Sequence, residues 1–116
     1  MLSERDEAAL LAIRDNVLLA EEFTRGLDQA AFLQDRKTFY AVTRCLEIIS
    51  EASRRLSDDA KARHDGIPWK QIAGAGNIYR HSYDNVVEAF DWITVKVSLP
   101  DLFAAVEAEL ETRPPI

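Results

Sequence analysis

The sequence predicts an all-α protein, a single-domain antiparallel bundle of four to five helices. Three observations carry this reading. Apolar residues recur at steps of three and four along the long segments, no stretch alternates with a two-residue period between turn signals, and Gly26, Pro68 and Pro100 punctuate the periodic segments. At 116 residues the chain has the length of one domain spanning residues 1–116, and neither internal repeats nor low-complexity tracts divide it.

The elements follow in order. Ser3 is a plausible N-cap with acids behind it at Glu4, Asp6 and Glu7, and Leu10, Ile13, Val17, Ala20 and Thr24 then recur at helical spacing. This predicts a first helix from about residue 3 to 24, ended by Gly26. After a short link, Phe39, Val42, Leu46, Ile49, Ser53 and Leu56 form a narrow seam that wants a partner helix. The outer face of this second helix carries Glu47, Glu51, Arg54 and Arg55, with Glu51 and Arg55 at pairing distance along the helix. The run from Lys61 to Pro68 is a polar, turn-rich connector, and Pro68 stands near the first position of a third helix from about Trp69 to Tyr79. Val86, Val87, Phe90, Ile93, Val95 and Val97 cannot share one face, which predicts a fourth helix buried on more than one side. Pro100 is expected to kink or restart that helix before Leu102, Val106 and Leu110 continue it. Trp69, Phe90 and Trp92 are expected as core aromatics, and Cys45 as a small buried hydrophobe.

Composition narrows the function classes. Apolar residues make up 47% and charged residues 29%, and no apolar run approaches the length of a membrane span. The single cysteine forbids an intrachain disulfide, and the first residues lack a basic segment followed by an apolar one, so a cytoplasmic location is expected. With 14 basic and 20 acidic residues the net charge is −6, which argues against a general nucleic-acid coat protein. The charge is uneven: residues 1–28 hold 3 basic and 7 acidic groups, residues 97–116 hold 1 and 4, and residues 29–96 hold 10 and 9. An anionic ligand would be met by the middle segment.

Within that segment, residues 74–83 concentrate two glycines, Asn77, Arg80, His81 and two tyrosines at a helix end. The glycines do not make a dinucleotide loop, because no strand precedes them and Tyr79 stands where the third glycine belongs. His64 and His81 are the only imidazoles and lie in different segments, so no metal site is expected. Taken alone, His81 is more often a structural or solvent-exposed histidine, and Arg80 a surface cation. Side by side they suit phosphate chemistry, in which a guanidinium binds the oxygens while an imidazole moves protons. Glu51 read by itself is half of an exposed ion pair.

Four runs of residues together resemble a known family: Thr43-Arg44-Cys45-Leu46-Glu47-Ile48-Ile49-Ser50-Glu51-Ala52, Ile67-Pro68-Trp69-Lys70-Gln71-Ile72-Ala73-Gly74, Asn77 through Tyr83, and Leu99-Pro100-Asp101-Leu102. In order and spacing they are similar to the HepT-like branch of the HEPN superfamily, minimal all-α domains found as the toxin half of pairs with a nucleotidyltransferase. The resemblance covers the chain from about Asp35 to Leu110. It implies a homodimer that cleaves RNA without a metal or other cofactor, through an Arg-x4-His-x-Tyr motif. The motif histidine falls on His81, its tyrosine on Tyr83 and its asparagine on Asn77, while its arginine falls on Gly76. The expected catalytic residues are therefore His81, Arg80 and Asn77, with Arg80 as the substitute cation and Glu51 supporting His81 or Arg80. Tyr83 is the residue that a partner nucleotidyltransferase antitoxin would modify with adenylate. The loss of the motif arginine keeps a second reading open, a catalytically inactive interaction module.

Overall fold

The protein, seen in a computed structural model, is described at residues 2–81 and 85–113, without the side chains of residues 79–81 and 85–87. Seven α-helices follow one another among these residues, and no strand occurs. They are α1 (Glu4–Thr24), α2 (Gln29–Gln34), α3 (Arg36–Arg55), α4 (Asp58–Ala62), α5 (Trp69–His81), α6 (Asn85–Ile93) and α7 (Leu99–Leu110). A π-helical turn, Thr94–Ser98, joins the last two. The all-α antiparallel bundle expected from periodicity is the fold observed.

Side-chain caps set the helix starts. Ser3 accepts from the Asp6 N–H at 3.0 Å, Asp28 from Ala31 at 2.8 Å, Asp35 from Thr38 at 3.1 Å and Ser57 from Ala60 at 3.2 Å. Gly26, at φ 81°, takes the chain out of α1 through the left-handed region where a side chain would be strained. α2 and α4 fill stretches that look like links in the sequence. They have six and five residues, and each buries one apolar side chain, Phe32 and Ala60, so neither is long enough to display a period.

The core is built on α1 against α3, with α7 packed on α1 and α5 on α3. Ile13, Val17 and Ala20 of α1, Val42 and Ala52 of α3, and Val106 of α7 are all at most 1% exposed. Polar ties fix the antiparallel order. At one end Asp6 accepts from Ser57 N–H at 2.8 Å and Ser57 Oγ at 2.6 Å; at the other, Lys96 Nζ donates to Thr24 Oγ1 at 3.3 Å.

The fourth helix restarts near Pro100, as expected, and departs from expectation in its burial. Helix α6 ends at Ile93, and the π-turn leads into α7, which carries Pro100 in its first turn. The Leu99 N–H reaches back five residues to the Thr94 carbonyl, and this wider turn makes room for a ring that would collide with a carbonyl four residues earlier. Among the described side chains burial is one-sided: Asp91 and Val95 face the core, while Phe90, Ile93 and Val97 are exposed at 36%, 53% and 66%; the side chains of Val86 and Val87 lie outside the described residues. Phe90 is thus not a core aromatic. Trp92 packs on Phe32 with ring centroids 5.4 Å apart, and half-buried Trp69 donates from its indole to the Lys61 and His64 carbonyls.

α4 and the turn after it are tied to α7 through Glu109, 5% exposed. Arg63 grips its carboxylate with two bonds of 2.8 and 3.0 Å, and His64 Nε2 lies 3.0 Å away. The Arg63 hydrogen bonds hold the Glu109 carboxyl below its ordinary value of 4.5. A group with a depressed pKa contributes stability above its unfolded value and loses it as pH falls through the folded one. Glu109→Gln should therefore lower Tm by a few degrees at pH 7. The gap to the unsubstituted protein should close in melts recorded progressively below pH 4.5; a gap independent of pH would refute the assignment.

Candidate functional site

The helix that carries the polar cluster is intrinsically weak. α5 holds Gly74 and Gly76 within 13 residues, and a glycine inside a helix costs roughly 0.5–1 kcal/mol relative to alanine. Its start is well defined. The Pro68 carbonyl accepts from the Ile72 N–H at 3.1 Å, so the ring that lacks an N–H precedes the first turn. Its middle is held by α3. Ser50 Oγ donates to the Ala73 carbonyl at 3.0 Å and accepts from the Gly76 N–H at 3.1 Å. Arg54, one turn further along α3, donates to the same Ala73 carbonyl from Nε at 3.0 Å and from Nη2 at 2.7 Å. Gly76 is buried against this seam, in helical conformation.

α5 stays helical as far as His81. Asn77, Arg80 and His81 stand at i, i+3 and i+4, so one face of the last turns carries all three. Asn77 is exposed. The side chains of Arg80 and His81, and Tyr83 altogether, lie outside the described residues. Glu51 is exposed on α3 next to Ser50; its reach to Arg80 and His81 also falls outside the described side chains. Among the described residues no ion pair joins Glu51 to Arg55, the pairing that their spacing suggested. The nearest pair on this helix is Arg44 with Glu47 at 3.8 Å.

Sequence reasoning missed three residues that shape this region. Ser50 and Arg54 sit on a helix read from its apolar period and, for Ser50, from the family resemblance, and neither signal says which polar residue will meet a backbone group of another helix. The third is Asp91. It is fully buried on α6 inside an otherwise apolar run, and Oδ2 accepts from Thr43 Oγ1 of α3 at 2.6 Å. Its Oδ1 has no hydrogen-bond partner. Burial pushes the Asp91 carboxyl from 3.8 up to about 7; the Thr43 bond opposes this, and Glu88 and Glu47 add to it. Cys45 is buried on α3 and its thiol is pushed up by desolvation, which fits the inert hydrophobe expected of it.

Among the described residues no group of three or more His, Cys, Asp and Glu side chains could hold a metal ion, and no helix is long and apolar enough to cross a membrane. A groove of about 300 Å³ opens between α5 and the α6–α7 path, floored by Leu46 and Ile49 of α3 and rimmed by Ile72, Ile93 and Val97.

The all-α fold agrees with the family that the sequence matches. The family model described as "Ribonuclease HepT-like" matches residues 13–109, and the chain belongs to this HepT-like ribonuclease family. One relative, "Probable ribonuclease HepT" of Thermococcus cleftensis, is 42% identical over 90 residues, covering 78% of this chain and 82% of its own. "Putative RNase MJ1380" of Methanocaldococcus jannaschii is 36% identical over 107 residues, covering 91% and 98%. No solved structure matches the chain.

The raised Asp91 carboxyl makes a stability prediction. A carboxyl whose folded pKa lies above its unfolded value contributes stability at low pH that is lost as pH rises through the folded pKa. Here each pH unit between 3.8 and about 7 removes up to ~1.4 kcal/mol. Asp91→Asn keeps an oxygen for Thr43 and cannot ionise. Its Tm should exceed that of the unsubstituted protein at pH 8, with the advantage shrinking steadily towards pH 5. Parallel Tm curves over that range would show that Asp91 does not titrate there.

Proposed function

We propose that this protein is a metal-independent endoribonuclease and the toxin of a toxin–antitoxin pair. Membership of the HepT-like ribonuclease family makes RNA the substrate class. What supports the reading is that α5 stays helical through residues 77–81, so that Asn77, Arg80 and His81 stand at i, i+3 and i+4. His81 takes the proton from the ribose 2′-hydroxyl as that oxygen attacks the adjacent phosphorus, and protonates the departing 5′-oxygen. Asn77 and Arg80 hold the phosphate while its charge grows. Glu51 orients His81 or Arg80. A nucleotidyltransferase antitoxin silences the site by adding adenylate to Tyr83, two residues from His81, where an anionic adduct repels RNA phosphate.

The active form is a homodimer. Ile93 and Val97 are apolar, exposed side chains on the rim of the α5–α6 groove, and a second copy would remove them from water. A second reading, the inactive interaction module, draws on Gly76: it stands where the motif has arginine and is occupied by the bond to Ser50.

His81→Ala and Arg80→Ala should each lower cleavage of a mixed RNA, in buffer with a chelator, by roughly 10²–10⁴. Tyr83→Phe should abolish adenylate transfer by the partner while leaving the fold intact. A protein that cleaves nothing in any of these forms, yet binds a nucleotidyltransferase, is the interaction module instead.

Light scattering should give twice the 13.1 kDa chain mass at micromolar concentration, and Val97→Glu should halve it. A monomer before substitution would remove the dimer.

A further inference from the structure

The Arg54 side chain is pinned in an unusual way for an exposed cation. Glu51 lies three residues earlier on the same helix, a spacing that permits an ion pair, yet the ion pairs among the described residues do not include Arg54. The guanidinium instead spends its Nε–Nη2 edge on one neutral acceptor, the Ala73 carbonyl. An α-helix offers the carbonyl of residue i to the N–H of residue i+4, so this oxygen points along α5 towards Asn77. The charge of Arg54 is thereby fixed beside Gly76 and Asn77. Arginine has five N–H donors in a rigid fork. With one edge on Ala73, the Nη1–Nη2 edge remains, and this is the edge whose two parallel donors match two oxygens of a phosphate.

We propose that Arg54 is a phosphate-binding residue: from α3 it supplies the guanidinium that grips the RNA backbone beside Asn77, at the place where α5 itself carries only Gly76. The inference rests on the ribonuclease reading above and assigns it a residue that the motif does not contain. Three features favour this role over a purely structural one. Ser50 Oγ already satisfies the Ala73 carbonyl, so the helix seam does not need a second donor. A neutral carbonyl leaves the arginine's charge uncompensated, which an anionic ligand would complete. The side chain is also anchored by two hydrogen bonds before any ligand arrives, which reduces the ordering cost of binding.

The test uses the full chain and a labelled single-stranded 2′-O-methyl RNA, which lacks the attacking hydroxyl, titrated by fluorescence anisotropy at several KCl concentrations. Cleavage of the matching unmodified RNA is followed in parallel. Loss of one phosphate contact should make the slope of log affinity against log salt shallower by about 0.7. Arg54→Ala should show this change, with affinity down about tenfold and kcat down about 10²-fold. Arg54→Lys should restore the slope, because it keeps the charge, but not the full rate, because it lacks the fork. Ser50→Ala loosens the same seam without removing a charge and should keep the original slope. An unchanged slope and rate in Arg54→Ala overturns the inference and leaves the ribonuclease reading standing. So do parallel losses in Arg54→Ala and Ser50→Ala with the slope intact, since that pattern belongs to a helix clamp. A wild-type chain that neither binds nor cleaves RNA overturns both readings together.

Discussion

The seam between α3 and α5 is the constraint on which the rest of the candidate site depends. A helix with glycines at 74 and 76 gives up roughly 1–2 kcal/mol against an alanine counterpart, and the deficit falls where the polar residues must be aligned. Ser50 offsets it from outside the helix by serving both a carbonyl and an N–H of α5 with one hydroxyl. A net gain near 1 kcal/mol per such bond is of the same size as the glycine cost. Helicity is therefore carried through to His81 by contacts one to two turns before it. The spacing of Asn77, Arg80 and His81 has functional meaning only because the backbone between them stays helical.

The two ends of the bundle spend polar groups differently. At the end away from the motif, Asp6 with Ser57 and Glu109 with Arg63 and His64 are short, charge-assisted contacts with both carboxylate oxygens engaged. They lock the short helix α4 between α1 and α7. Across the α3–α6 contact Thr43 is tied to Asp91, and among the described residues one buried oxygen of that carboxylate has no hydrogen-bond partner. The contacts of Glu109 favour its ionised carboxylate and the burial of Asp91 disfavours its own, so these two groups respond to pH with opposite sign. Departures from full polar satisfaction tend to gather where a structure does something other than fold, and Asp91 belongs to the helix that follows the motif.

Most of the fold was legible in the sequence because it is written in long periods. The 21 residues of α1 and the 20 of α3 display several turns of apolar repeat, and the cap of α1, Ser3, is a residue type favoured before a helix. Short elements were not legible: α2 and α4 show one buried residue each, and one point has no period. Helix α6 misled for a different reason. Its hydrophobicity on several sides says that the residues avoid water, but not whether they avoid it within this chain or against another; Ile93 and Val97 are exposed here. The site was partly legible through residue types crowded at 74–83. The contributions of Ser50 and Arg54 were hidden, because a hydrogen bond to a backbone group in another helix leaves no trace in spacing or composition.

A chain of net charge −6 repels RNA at long range, and the acidic excess sits in the terminal segments, which include α1 and α7. Binding must then be won locally, by cations fixed close to where the phosphate will lie, because screening confines each charge's influence to about 8–10 Å at ordinary salt. Arginines that are free to move would pair with the abundant carboxylates first. A guanidinium held by a backbone carbonyl is withdrawn from that competition while keeping its charge, and the cost of holding it is met by the helix seam that the fold requires anyway. The Arg54–Ala73 contact thus sets a positive charge on the seam that Ser50 already steadies, which ties the proposed phosphate contact to the packing of α3 on α5.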